Sequence, residues 1–566
     1  MDTRTVRILL LSDFNMGVFS ALLHHDGDAP CVTAQAAPFG QILQTILDEK
    51  ATLWGQAFDA AVVWSRPEAV SEDYADAREG KPFSPDRIRE QVDAFCAAIR
   101  ILQGRIPTVI LPTWSAPYDA QHSGLMGMHA ETGLSLTLMR MNMRLSENFK
   151  DGRGIFILDA HRWIHAGGGE AFDPRLWYMG KIPFGQPVFQ QAVADIKSAL
   201  RGLRGMSRKL VIVDLDDTLW GGIVGDLGWP QLRLGGHDPI GEAFADFQRG
   251  LKALTRRGIV LGIVSKNTEE IALAAVDQHP EMILRRGDFA GWRINWEDKA
   301  QNVAALVSAL NLGLQSAVFI DDNPRERSRV REAFPEVFVP DWPADPMLYR
   351  KTLDGLGCFN MPHVSEEDLH RAQMYAHEQQ REGLRTSAPS FEVWLKTLAL
   401  TVSVERLDAE NLRRAAQLLN KTNQMNLRTR RLTEAELLRW SEHPRRRIWA
   451  FRVSDKFGDL GLTGIASVEC GDAEAEVSDF ILSCRAMGRK VEETMLHYLV
   501  RAVRPMGIRR LNAVYRPTEK NKPCLEFLDR SGLAAGEEEN QYYWTLNQDY
   551  PLPDGIHLED RTHLRS

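Results

Sequence analysis

Leu210-Val211-Ile212-Val213-Asp214-Leu215-Asp216-Asp217-Thr218 is the stretch on which the fold of this chain turns. Four apolar residues read as a short buried strand and run directly into Asp214 and Asp216, spaced two apart, with Thr218 two further on. Side chains alternate along an extended backbone, so both carboxylates are expected to face one site at the strand's C-terminal end. Open α/β sheets build their sites at that end. Paired carboxylates there suit phosphoryl transfer. One attacks phosphorus and the other manages the leaving-group proton, while Mg²⁺ neutralises the oxygens.

Three further stretches follow in order. Ile259 to Val264 is an apolar run that ends in Ser265-Lys266-Asn267. Lys299 closes Asn295-Trp296-Glu297-Asp298-Lys299, and Val318-Phe319-Ile320 runs into Asp321-Asp322-Asn323-Pro324. Each has a plainer reading: a serine after a strand caps helices, a lone lysine is solvated, and Asp-Asp-Asn-Pro is good turn chemistry. Four in sequence, three of them at the ends of strong apolar runs, outweigh those readings. Together they resemble motifs I to IV of the haloacid-dehalogenase (HAD) superfamily. The resemblance implies Asp214 as nucleophile and Asp216 as general acid/base. Ser265 is expected to hold the phosphoryl group, with Lys299 offsetting charge. Asp214 and Asp321 are expected as the main Mg²⁺ ligands, Asp322 as a second choice and Asp216 in the same set. Thr218 and Asn267 are expected on the substrate.

The chain has 566 residues, which suggests three or four domains. Its 44% hydrophobic and 25% charged content is ordinary globular material. A net charge of −8 disfavours nucleic acid as a partner. No apolar run approaches the roughly 18 residues a membrane span needs. Arg4 to Leu11 is too short an apolar core for a signal peptide and reads as a first strand. Six cysteines without a Cys-x-x-Cys pair argue against a disulfide framework or a zinc site. A cytoplasmic protein is expected.

The fold class is α/β, in three domains. Residues 1–205 alternate strands (Ile8–Leu11, Ala60–Trp64, Pro107–Leu111, Ile155–Leu158) with helical stretches, as parallel sheets do. Arg201 to Lys209, with Gly202 and Gly205, reads as a linker. Residues 206–350 carry the four motifs, and the Gly-rich stretch after Thr218 leaves room for a β-flap but no full cap domain. Residues 351–395 read as a helical linker, with a polar helix from Ser365 to about Arg385. Residues 396–566 form the third domain.

In that domain Val477 to Leu482 reads as a strand, Arg485-Ala486-Met487-Gly488-Arg489 as a turn, and Val491, Met495, Leu496, Leu499, Val500 and Val503 as a helix of 3.6-residue period. A strand, a glycine turn and a helix N-terminus gather backbone N–H groups around an anion. The turn resembles the pyrophosphate-binding motif of the GCN5-related acyltransferases (GNAT fold), although Lys490 replaces the usual small residue. Arg510–Tyr515 and Asn521 to Leu533 are similar to that fold's closing segment. The resemblance marks Arg485, Gly488, Arg489 and Asn521 as substrate- or pantetheine-binding. Cys484 sits beside the turn as a candidate nucleophile, with Cys524 the runner-up and a buried structural cysteine the plainer reading. Asn420-Lys421-Thr422-Asn423-Gln424-Met425-Asn426 is too rich in amides and hydroxyls for a helix cap alone, which puts Asn420 and Asn423 near a substrate or pantetheine arm.

Leu219 to Gly225, Arg293 to Lys299, Asn420 to Leu427 and Ser483 to Arg489 together resemble the FkbH-like proteins, HAD subfamily IIIC, over about residues 5 to 535. Members commonly carry an SGNH-hydrolase-like N-terminal domain. The resemblance implies a bifunctional phosphatase and acyltransferase. It would load the glyceryl unit of 1,3-bisphosphoglycerate onto an enzyme cysteine, remove the remaining phosphate and pass glyceryl to the phosphopantetheine thiol of an acyl carrier protein. Two other readings stay open: a plain Mg²⁺-dependent phosphatase with a separate or inactive acetyltransferase domain, and a non-catalytic docking scaffold for carrier proteins. Within residues 1–205, Ser12 follows the first strand as an SGNH nucleophile would. Its surroundings lack the usual Gly-Asp-Ser, and Asp159 and His161 are one residue short of Asp-x-x-His. A binding or scaffold role is expected there.

Overall fold

A computed structural model describes residues 5–116, 124–150, 154–310, 312–361, 381, 384–385, 388–422, 424–432 and 434–563. The chain forms two compact units, Met1–Arg208 with Lys351–Val364, and Lys209–Arg350 with Ser365–Ser566.

The first unit is built on five strands, β1 (Val6–Ser12), β2 (Val32–Ala36), β3 (Ala60–Trp64), β4 (Val109–Pro112) and β5 (Ile155–Leu158). All pair in parallel, in the order β2-β1-β3-β4-β5. Leu9, Leu11, Ala61 and Val63 pack on one face with the helix Pro85–Arg105. Ile8, Leu10, Val62 and Trp64 pack on the other with the helix Gln186–Leu203. Burial on both faces is why the central strands β3 and β4 are unbroken apolar runs, whereas the edge strand β2 carries Thr33 and Gln35.

The expected linker at Arg201–Lys209 is partly helix, because Gln186–Leu203 runs through Gly202. Gly202 serves a close approach: a Cβ there would lie 2.5 Å from the Asn360 carbonyl oxygen. Around it, Arg208 N donates to Cys358 O at 2.9 Å and Asn360 Nδ2 to Ser198 Oγ at 2.7 Å. The start of the expected helical linker, Lys351 onward, therefore folds with the N-terminal unit. Most of the expected helix from Ser365 lies outside the described residues.

The second unit holds two sheets. The first is fully parallel, with β6 (Leu210–Val213), β7 (Val260–Ser265), β8 (Phe289–Ile294) and β9 (Ala317–Ile320) in the order β8-β7-β6-β9. The expected β-flap after Thr218 is mainly helical turns, Val224–Leu227 and Trp229–Gln231, closed by one bridge between Gly221 and Arg233.

The second sheet is mixed. It comprises β10 (Leu400–Arg406), β11 (Met425–Asn426), β12 (Arg446–Asp455), β13 (Gly458–Cys470), β14 (Glu474–Leu482), β15 (Arg510–Val514), β16 (Ala534–Ala535), β17 (Gln541–Thr545) and β18 (Ile556–Asp560). The order is β16-β17-β15-β14-β13-β12-β10-β18, with β11 added on β14. The helix Val491–Val503 buries Val491, Met495, Leu496, Leu499, Val500 and Val503, the stripe its periodicity requires. Among the described residues no helix is long and apolar enough to cross a membrane.

Candidate active site

The register of β6 and β9 assembles the first centre. Val213 lies opposite Ile320, so Asp214 and Asp321 leave adjacent parallel strands side by side. Asp214 N is tied to Ile320 O at 3.0 Å. On the other side of β6, β7 ends at Ser265, which is 2% exposed. Asp214, Asp321 and Asp322 offer carboxylate oxygens that all lie within 4.8 Å of one another.

Lys299, the first residue of the helix Lys299–Ala309, is 3% exposed and contacts two of these carboxylates. Its Nζ lies 2.8 Å from Asp214 Oδ2 and 2.6 Å from Asp321 Oδ2. Although burial opposes the charge, Asp214 and Asp321 hold the ammonium well above its ordinary pKa, so it stays a cation. Burial and then the Asp214 charge push Asp321 up to about 7, while Lys299 pulls the other way. One ammonium does not neutralise three acids. Asp214 Oδ1 is buried and has no hydrogen-bond partner among the described residues. An orphaned carboxylate oxygen in an all-oxygen donor set fits a hard divalent cation such as Mg²⁺. Thr218 and Arg327 brace this acidic edge. Thr218, fully buried, donates to Asp322 Oδ1 at 3.2 Å and accepts from Asp322 N at 3.1 Å. Arg327 donates to the Asp321 and Asp322 carbonyls at 2.7 and 2.6 Å.

Asp216 is not part of the carboxylate cluster. Its Oδ1 accepts from Trp220 Nε1 at 2.9 Å and Val224 N at 3.0 Å, and its Oδ2 accepts from Asn267 Nδ2 at 2.8 Å. These bonds turn the side chain toward the flap, which suits an acid/base rather than the expected metal ligand. Burial raises its pKa, against the hydrogen bonds from Val224 and Trp220. Asn267, expected on the substrate, donates to Asp216 Oδ2 and accepts from Thr268 N at 3.0 Å. Thr218 is likewise turned inward. Trp220, Arg327 and Tyr349, whose hydroxyl donates to Asp217 O at 3.1 Å, were not legible as site residues. Trp220 lies in a motif stretch that names no role for it, and a tyrosine 132 residues from its partner Asp217 carries no local sequence pattern.

In the mixed sheet, Cys484 lies in the turn between β14 and the helix Val491–Val503. It is the exposed thiol of that domain among the described residues, since Cys470 and Cys524 are buried. Burial pushes the Cys524 thiol up to about 12, which removes the runner-up nucleophile at neutral pH. Gly488 takes φ +71°, and its N–H donates to Glu492 Oε1 at 2.8 Å. Arg485 reaches Ser483 Oγ at 3.4 Å, and Arg489 is buried.

The asparagines do structural work. Asn420 Nδ2 donates to the Ala416 and Leu432 carbonyls at 2.8 and 2.7 Å, which ties the helix Leu412–Lys421 to the segment at Leu432. Asn521 is fully buried. It accepts from Tyr515 Oη (2.8 Å) and Thr518 N (2.7 Å) and donates to the Asn426 and Arg516 carbonyls (3.0 and 2.8 Å). Its hydrogen-bonding capacity is filled by the fold. Asn423 lies outside the described residues.

In the first unit Ser12 is buried and its Oγ accepts from Phe14 N at 3.1 Å. His161 and His165 are exposed, and no hydrogen bond joins either to Ser12 among the described residues. A cavity of about 210 Å³ opens at the C-terminal ends of β3 and β4, lined in part by Ser65, Arg66, Glu68, Thr113 and Trp177.

No family model and no curated protein matches the sequence. Among solved structures, the chain is similar to the N-terminal part of the protein BF1531 from Bacteroides fragilis, a structure containing a phosphatase domain complexed with Mg. Identity is 27% over 64% of this chain and 96% of that one, with a TM-score of 0.58. It is also similar to the GNAT domain of S. lividans PAT (17% identity, 25% of this chain and 89% of that one, TM-score 0.21). A third is the ribosomal-protein-S18-alanine N-acetyltransferase from Escherichia coli (9%, 28% and 99%, TM-score 0.21). The chain holds a HAD-like phosphatase domain.

Proposed function

We propose that this chain is a two-centre enzyme that loads a three-carbon acyl unit from a phosphorylated glycerate onto Cys484, dephosphorylates it at Asp214, and passes it to the phosphopantetheine thiol of an acyl carrier protein. Mg²⁺ is the cofactor of the first centre, and it draws charge from the phosphoryl oxygens when held by Asp214, Asp321 and Asp322. The observation that carries the phosphatase step is the open Asp214 Oδ1, flanked by Lys299 and the acidic pair.

Asp214 attacks phosphorus and forms an aspartyl phosphate as the P–O bond to the substrate breaks. Asp216 gives the leaving oxygen its proton. It then takes one from the water that attacks the aspartyl phosphate and frees inorganic phosphate. Lys299 keeps its charge throughout, and Ser265 hydrogen-bonds the phosphoryl group as it moves.

The acyl step belongs to Cys484. Its thiolate attacks the carbonyl of an acyl phosphate, a C–S bond forms, and the C–O bond breaks as phosphate leaves with the electron pair. The carrier thiol then displaces Cys484. Exposure at the turn supports this role, because a tethered pantetheine must reach the sulfur. The SGNH-like domain, residues 1–205, serves binding, with the cavity beside Trp177 as its site.

The test is intact-protein mass spectrometry after incubation with 1,3-bisphosphoglycerate. Wild type should gain a glyceryl adduct that Cys484→Ala lacks, while Cys484→Ala still hydrolyses a small surrogate phosphate. An adduct of equal yield on Cys484→Ala contradicts the assignment.

A further inference from the structure

β14 and β15 pair only through Glu474–Val477 and Arg510–Ala513. Beyond Val477 the two parallel strands part, and the free edge of β14 faces a wedge. Unpaired strand edges accept an extended chain that carries amides. The pantetheine arm of a CoA thioester is such a chain, and the adjoining glycine turn is where the GNAT motif gathers N–H groups around a pyrophosphate.

Here the protein fills both places with its own groups. Met425 and Asn426 pair antiparallel with Leu482 and Ile481 of β14. Leu427 N donates to Phe480 O at 3.1 Å, which carries the pairing one residue further. On the opposite side Arg516 N, just beyond β15, donates to Leu427 O at 3.0 Å. The segment thus bridges the two diverging strands. Met425 and Leu427 are buried in the domain's core, and the Asn426 carbonyl is latched by Asn521 Nδ2 at 3.0 Å. At the turn, the Gly488 N–H that would meet a phosphate oxygen already donates to Glu492 Oε1 at 2.8 Å. Glu492 is 1% exposed. To seat a CoA thioester, the protein would have to strip a paired, core-anchored segment from β14. It would also have to bring a pyrophosphate against a buried carboxyl group.

We propose that Met425–Leu427 and Glu492 are specificity elements that exclude CoA thioesters from the wedge and turn of the C-terminal domain. Acyl chemistry at Cys484 then draws on donors without a CoA body, reaching the sulfur from the exposed side of the turn. The exclusion goes beyond the acyl-loading reading and holds whether or not Cys484 carries an acyl group.

Two measurements on the full-length wild-type protein test it together: calorimetric titration with CoA and with acetyl-CoA, and amide hydrogen exchange with and without each. The expected result is no saturable binding up to about 1 mM, with slow, ligand-independent exchange at Leu427, Arg516 and Gly488. Saturable binding that leaves those three amides unchanged puts the coenzyme elsewhere and upholds the exclusion. Micromolar binding that deprotects Leu427 and Arg516, or perturbs Gly488, overturns it. A missing adduct on Cys484 would end the loading reading without altering either measurement.

Discussion

Asn267 lies on Asp216 and Thr268, and Asp216 lies apart from the three-carboxylate cluster, because a side-chain amide and two N–H groups satisfy that buried carboxylate. Asn267 is therefore a positioning residue for the acid/base. Asn267→Ala should lower kcat on an alkyl phosphate by about 10- to 100-fold, a part of the roughly 10²–10⁴-fold that general acid catalysis supplies, because Asp216 itself remains. It should lower kcat on 4-nitrophenyl phosphate much less, because that leaving group needs little protonation. Equal losses on both would show a merely structural role. Lys299 separates Asp214 from Asp321, and Lys299→Met leaves two buried carboxylates facing each other. Breaking such a pair costs about 3–5 kcal/mol. The variant should melt lower than wild type in EDTA and recover more on adding Mg²⁺; calorimetric Tm values in both conditions check this. Thiol chemistry offers a third check. Burial holds Cys524 and Cys358 near 12, so both stay protonated at pH 8. Brief iodoacetamide treatment of native protein at that pH should label the exposed Cys31 and Cys484 and spare Cys524, as peptide mapping would report.

At the scale of elements, what could be read from the sequence followed burial. Ala60–Trp64 and Ile155–Leu158 coincide with their strands because parallel strands covered on both faces must be continuously apolar. The Asp214 and Asp321 ends were legible for the same reason, since each carboxylate interrupts such a run. β11 was not: two residues long, it has no period of its own and exists because β14 and β15 diverge. Asn420 and Asn521 read as ligand contacts in the sequence because their Nδ2 partners are carbonyls, two of them (Leu432 and Asn426) distant in sequence, and a carbonyl leaves no mark on composition. Gly202, which in the sequence reads as part of a linker, matters for its missing Cβ. Asn521→Ala removes four buried hydrogen bonds and leaves the Asn426 and Arg516 carbonyls unpaired. A loss of about 3 kcal/mol in urea unfolding is expected, with faster exchange at Leu427. A loss below about 0.5 kcal/mol would mean that the latch is not structural.

Across the whole molecule, the carboxylate cluster lies at the C-terminal edge of one parallel sheet and the exposed Cys484 thiol at the turn of a mixed sheet. Hydrolysis of the phosphomonoester should stop in EDTA, while loading of Cys484, which frees only the acyl-bound phosphate, should continue, because the thiol attacks carbonyl carbon and needs none of the carboxylates. The decisive measurement uses Asp214→Asn, a near-isostere that removes the nucleophile and keeps the fold. After incubation with 1,3-bisphosphoglycerate, intact-protein mass spectrometry should find Cys484 loaded and its adduct heavier than the wild-type adduct by one phosphoryl group. An adduct of wild-type mass, or no adduct on a protein that wild type shows to be loadable, would contradict two centres acting in turn on one substrate.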